Sequence, residues 1–148
     1  GFEVGDGWFN ILDQLMGNIQ HHINWSIKQH TNAIQNNEMI AQCKAGVFDM
    51  FEKEYNHIAN TEYKEKRLTE IIEGDFREVP NIVHQVTLDQ VKEKFGTLRF
   101  YYTGGDDIID GMVRMAESMS GVTCEECGNV GTTVGSGWLT TTCGGHSR

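Results

Sequence analysis

The feature that most constrains this chain is its final segment, TCEECGNVGTTVGSGWLTTTCGGH, residues 123–146, which holds three of the four cysteines and a histidine. Cys124 and Cys127 stand three positions apart with Gly128 directly after them, and Cys143 and His146 repeat that spacing. Two thiolates so placed can grip one ion if the chain turns sharply after the second, and a glycine makes that turn accessible. Three thiolates and one imidazole match tetrahedral zinc with every position filled by protein. The competing readings are a disulfide with a free thiol, or four unrelated buried residues; paired spacing on both sides favours zinc. A closed site leaves no position for an activated water, so the expected cofactor is structural Zn2+ rather than a catalytic ion. Between the pairs, Gly131, Gly135 and Gly137 surround Val134, and Trp138 and Leu139 follow, a composition that suits a short hairpin returning the second pair to the first. His146 lies close to the chain end, where metal binding itself is expected to order it.

Upstream, Trp8, Ile11, Leu12, Leu15, Ile19, Ile23 and Ile27 recur at steps of three or four and predict an amphipathic first helix, with Asp6 as its N-cap. Gly17 is expected to weaken its middle, allowing a bend or the close approach of another segment. Residues 30–38, HTNAIQNNE, read as a polar connection, and residues 38–58 as a second helix through Ile40, Val47, Phe48, Phe51, Tyr55 and Ile58. Cys43 within it reads as a buried small hydrophobe, with a reactive thiol as the alternative. Thr61 is expected to cap a third helix with Tyr63, Leu68, Ile71 and Ile72 inward, before Gly74 and Pro80 break the pattern.

Residues 83–102 change character. IVHQVTLDQV and TLRFYYT are rich in β-branched and aromatic residues, and Leu98, Phe100 and Tyr102 alternate with polar positions. An antiparallel pair turning at Gly96 is expected, with a bulge or a strand break near Asp89 and Gln90, where the apolar phase slips. GGDDIIDGMVRMAESMS then predicts a helix capped by Asp106 or Asp107, with Ile108, Met112, Met115, Ala116 and Met119 as an inward stripe. The resulting fold class is α+β: amphipathic helices packed on a small antiparallel β-hairpin or sheet, with a C-terminal zinc-knuckle or treble-clef-like subdomain. The 148 residues suit one compact domain, divided into a mixed helical and β-hairpin core, residues 1–120, and a zinc-binding subdomain, residues 121–148.

The chain carries 21 acidic and 12 basic residues, a formal charge of −9, which repels nucleic acid and anionic membranes unless a local patch reverses the field. One stretch does so. KEKFGTLRFYY combines Lys92, Lys94 and Arg99 with Phe95, Phe100, Tyr101 and Tyr102, residue types that hold phosphates and stack bases. Lys92, Lys94, Arg99 and Tyr101 are therefore the candidate ligand-binding residues, against the plainer reading of a strand pair with one solvated face. His21, His22 and His30 read as surface histidines, and no nucleophile elbow, phosphate loop or paired-carboxylate arrangement suggests catalysis. No apolar run approaches the roughly 20 residues of a membrane span, and cysteines at ligand spacing favour a reducing cytosol. The chain opens on Gly1 rather than Met, so processing or trimming upstream is expected.

Four stretches, FEVGDGWFNILDQL, QVKEKFGTLRFYYTGGDD, MAESMSGVTCEECG and GWLTTTCGGH, together resemble a group of small, largely uncharacterised proteins of tailed bacteriophages and prophages. The resemblance covers the first helix and residues 85–146, while residues 31–81 match no motif and read as a variable insertion. It implies a bacterial cytoplasm during infection, an accessory rather than virion-structural status, and a zinc-binding tail at Cys124, Cys127, Cys143 and His146. Thr142 stands where a leucine is commoner in that group, leaving the ligands intact but altering the local packing. The functional expectation is a non-enzymatic binder of a host protein, blocking a host enzyme or defence component. The alternative is a nucleotide-signal or nucleic-acid binder that uses the basic aromatic strands.

Overall fold

A computed structural model describes residues 1–147. The fold is α+β: among the described residues it has four α-helices, a three-stranded sheet and a two-stranded hairpin. Strand β1 (Phe2–Glu3) and a 3-10 turn (Asp6–Trp8) precede α1 (Phe9–Lys44), α2 (Asp49–Tyr55) and α3 (Thr61–Glu73). Then follow β2 (Thr87–Lys94), β3 (Thr97–Thr103), α4 (Asp107–Ser120), β4 (Thr132–Val134) and β5 (Thr140–Thr142). The chain packs as two units. One joins residues 1–25 to the chain from Val83 onward, and the other is Ser26–Ile82.

The first unit is built around the sheet, in the order β1-β2-β3. β2 and β3 are antiparallel, pairing Val91 with Phe100 and Lys92 with Arg99, and the register slips between Leu88 and Gln90, so of the bulge or strand break expected there it is the strand that continues, with an irregular register. Phe95 and Gly96 make the connection with φ of 55° and 82°, the left-handed pair that a two-residue hairpin of native twist requires. β1 runs parallel to β2, with Glu3 beside Lys92. Trp8, Leu12, Leu15, Ile19 and Ile23 of the chain's first part pack with Val91, Leu98 and Phe100 of the sheet and Ile109, Val113 and Ala116 of α4. The outer edge of β3 is covered: Ser120 Oγ accepts from Leu98 N at 2.8 Å, and Glu117 accepts from Phe100 N at 3.0 Å. Both edge amides are thus satisfied by α4 instead of being left to recruit another strand.

Asp106 caps α4, accepting from Ile109 N at 3.0 Å. The inward row of α4, however, is Ile109, Val113, Ala116 and Ser120, while Ile108, Met115 and Met119 are exposed. The helix carries two apolar rows one residue apart, and the row of smaller side chains faces the sheet, where it permits close approach. His22 is likewise no surface histidine. Its Nε2 lies 2.8 Å from Asp106 Oδ2, joining α1 to the cap of α4. Asp6 falls within the 3-10 turn rather than capping a helix, and nothing lies within 4 Å of where a Cβ on Gly17 would stand.

The second unit packs Met39, Ile40 and Cys43 of α1 with Phe51 of α2 and Ile71 of α3. Residues 30–38 are not a connection: α1 continues through them. The segment contains neither glycine nor proline, and its buried row persists through the small side chains Ser26 and Ala33, which apolar periodicity overlooks. The helix ends at Gly46, whose φ is 81°, with Val47 N bonded to Gln42 O at 2.8 Å and Gly46 N to Cys43 O at 3.1 Å. Those two bonds form a glycine C-cap of the Schellman type. Val47 and Phe48 therefore lie beyond the helix and exposed, and α2 is a separate helix of 7 residues. Asn60, not Thr61, caps α3, accepting from Tyr63 N at 3.0 Å, and Tyr63 and Ile72 point outward. Cys43 is buried, and burial pushes its thiol up, as befits a small hydrophobe.

Candidate metal centre

The knuckle forms as the sequence requires. Gly128, at φ 82°, donates to Cys124 O at 2.9 Å, and Cys124 N donates to Asn129 O at 2.7 Å. This reversal brings the Cys127 side chain back beside Cys124. β4 and β5 then form the short hairpin, pairing Thr132 with Thr142 and Val134 with Thr140, and deliver Cys143 directly after β5. Glu125 N bonds to Thr141 O at 3.0 Å, tying the knuckle to β5, and His146 N bonds to Cys143 O at 3.1 Å, closing the second turn.

One ligand atom from each of Cys124, Cys127, Cys143 and His146 lies within 4.8 Å of all the others, a grouping that can hold a metal ion. Cys127 Sγ is 3.7 Å from Cys143 Sγ, while His146 Nδ1 is 3.2 Å from Cys143 Sγ and 3.8 Å from Cys124 Sγ. All four cysteines of the chain are free thiols. Cys124 is fully buried, Cys143 half-buried, and Cys127 and His146 are exposed, so the cluster is anchored on its inner side and open to solvent on the other.

The electrostatics differ from one sulfur of the cluster to the next. Burial opposes ionisation of Cys124, yet the backbone amides of Cys143, Cys127 and Glu126 draw its thiol down to about 6. The bond from His146 lowers Cys143, and the reciprocal contact raises His146. Cys127 receives the Asn129 amide, but burial and the neighbouring sulfurs of Cys124 and Cys143 push it up.

What the sequence did not disclose is the floor of this site. The 3-10 turn at the chain's start docks on the knuckle: Gly7 N bonds to Glu125 O at 2.7 Å, Gly5 N to Glu125 Oε1 at 3.0 Å, and Trp8 Nε1 to Thr123 O at 2.8 Å. A Cβ on Gly7 would stand 2.6 Å from Glu125 C, so only glycine permits this approach. The signal was GDGW, two glycines around an acid before a tryptophan, which helical periodicity absorbed into the helix start.

The other candidate residues lie on the sheet. Lys92 is paired with Arg99, Lys94 with Thr97, and Tyr101 with Gln90, so the cations and Tyr101 share the face opposite Leu98 and Phe100. Lys92 Nζ stands 5.7 Å from the Tyr101 ring centroid, and Arg99 donates to Thr97 Oγ1 at 2.8 Å. Compared with protein-family models, curated proteins and solved structures, the chain matches none.

Proposed function

We propose that this chain is an accessory protein of tailed bacteriophages or prophages that acts in the bacterial cytoplasm by binding a host protein, inhibiting a host enzyme or defence component, and that its Cys3His cluster holds structural Zn2+. Zn–S and Zn–N bonds of about 2.3 and 2.05 Å set the edges of a regular tetrahedron at about 3.8 Å for sulfur–sulfur and about 3.6 Å for sulfur–nitrogen. The observed 3.7, 3.8 and 3.2 Å scatter around those edges. Four protein donors complete the coordination, so Zn2+ supplies folding free energy at this site rather than an activated water.

The observation that carries the binding role is the outward methionine row. Met112, Met115 and Met119 of α4 border a cavity of about 370 Å³ whose other wall includes Ile11 and Leu15, and Met112 also lines a second recess with Ile108 and Trp25. Large exposed apolar side chains in one patch are unusual on a chain that needs no partner, and methionine adapts to varied surfaces. On a molecule of charge −9, the partner of complementary chemistry is a basic amphipathic helix, with its apolar stripe against the methionines. Zinc analysis of protein purified without chelator tests the first part; one ion per chain is expected, and a substoichiometric content refutes it. Capture of a host protein that Met115→Asp abolishes supports the second. Absence of any stoichiometric partner across several host lysates refutes it.

A second reading, a nucleotide or nucleic-acid binder, is favoured by the common face of Lys92, Lys94, Arg99 and Tyr101.

A further inference from the structure

The turn between β2 and β3 carries an anomaly. Phe95 occupies a left-handed conformation, φ 55°, that is strained for a side chain with a Cβ and that asparagine tolerates far better. Its ring is 62% exposed, so burial does not account for a phenylalanine there. Across from it, Trp138 at the tip of the β4–β5 hairpin is 75% exposed. The two aromatics, with Lys94, Glu93 and Leu139, line a cleft of about 260 Å³.

The walls of this cleft are fixed. Thr141 Oγ1 donates to Gly96 O at 2.5 Å, and a Cβ on Gly96 would meet Thr133 Cγ2 at 2.9 Å and Leu139 C at 3.4 Å. The β2–β3 turn is thus seated against the β4–β5 hairpin. Glu93 is engaged in accepting from Gly96 N at 2.6 Å, while Lys94 Nζ lies 5.5 Å from the Phe95 ring centroid. The cation beside the cleft is therefore not committed to that carboxylate.

From this mouth a line of positive charge leads away. Lys94 and Lys92 project from one face of β2 about 6.8 Å apart, the scale of one extended nucleotide step, with Arg99 and Tyr101 beside them on β3. Glu3 is the acid next to this line, paired with Lys92.

We infer that Phe95 and Trp138 form a stacking clamp for one base of a single-stranded nucleic acid, whose phosphates run from Lys94 to Lys92 and Arg99 across the outer face of the sheet. This rests on the nucleic-acid reading above and gives it a base-binding site and a direction. An aromatic face stacks on any base, so the clamp is tolerant of sequence, and cations on a strand face track the backbone without reading it. A duplex presents no unstacked base and is excluded by the same geometry.

The test uses the zinc-loaded chain and fluorescein-labelled single-stranded DNA and RNA dodecamers, read by anisotropy over a salt series. Phe95→Asn restores a residue suited to the turn while deleting the ring; it is expected to be at least as stable as the parent and to bind about 5- to 150-fold more weakly, the range for one lost stacking contact. Trp138→Ala should match it, with zinc content unchanged. Lys92→Ala and Arg99→Ala should each reduce the slope of log affinity against log salt by about 0.7. If the oligomers bind with normal loss in the cationic variants but none in Phe95→Asn and Trp138→Ala, the clamp is wrong and the sheet face alone binds. If no oligomer binds, the nucleic-acid reading falls with it. Equal affinity for a duplex, or a mononucleotide competing as well as the dodecamer, overturns the strand path.

Discussion

Replacing Gly7 with alanine offers a direct test of the contact between the chain's first turn and the metal knuckle. The added Cβ would collide with Cys124 O and stand 2.6 Å from both Glu125 C and Glu125 O, where ordinary contacts begin near 3.4 Å, so the turn must withdraw by more than about 1 Å. That displacement breaks the bond from Gly7 N to Glu125 O and misaligns that from Trp8 Nε1 to Thr123 O. Each contributes about 1 kcal/mol, and partial exposure of Trp8, now fully buried, adds a comparable amount, for a loss of about 2–4 kcal/mol. Urea unfolding of the zinc-loaded protein measures the total, and chelator competition is expected to reveal zinc affinity at least about tenfold weaker, although no ligand has changed. Gly17→Ala is the control. Nothing lies near that position, so alanine in mid-helix should stabilise by about 0.5–1 kcal/mol. A Gly7→Ala protein within about 0.5 kcal/mol of the parent, with unchanged zinc affinity, would refute the docking argument.

Ser120→Ala strips the buried acceptor from Leu98 N and should cost about 1–3 kcal/mol in denaturant unfolding; an unchanged midpoint would contradict it. Thr142 Oγ1 is a buried hydroxyl with no hydrogen-bond partner, so Thr142→Val should raise the melting temperature, by about 1 kcal/mol of stability, and a fall would show that the hydroxyl is satisfied after all. Burial opposes the charge on Asp106, but the bonds from His22 and the Ile109 amide outweigh it and lower its pKa. A depressed carboxylate stabilises the fold above its unfolded value of about 3.9 and loses that contribution as pH falls through the folded value. The stability difference between the parent and Asp106→Asn should therefore shrink as pH is lowered below about 4, and a constant difference would contradict the pairing.

The features legible in the sequence are those whose chemistry is local. A metal knuckle needs its two sulfurs within one turn, so Cys124 and Cys127 announce themselves, and the register slip at Leu88–Gln90 is visible because one strand changes apolar phase. The capping role of Asp106 is equally local. Where two answers share one periodicity, the sequence is ambiguous: the rows 108/112/115/119 and 109/113/116/120 of α4 both repeat at helical steps, and only packing on β3 decides between them. The long course of α1 was hidden because Ser26 and Ala33 carry its buried row without looking hydrophobic. β1, the glycine floor at Gly5 and Gly7, and the His22–Asp106 bond depend on partners 84 or more residues away, beyond the reach of any local pattern.

The bonds from Gly5, Gly7 and Trp8 to Thr123 and Glu125 also set the order in which the molecule can be assembled. Residues 26–82 make a contiguous unit whose contacts can form soon after it leaves the ribosome. The other unit is discontinuous, and it cannot close until Thr123 and Glu125 have been made to meet a turn synthesised long before them. Until then the ring N–H of Trp8 lacks the Thr123 carbonyl it bonds, so closure of this unit is a long-range step in folding.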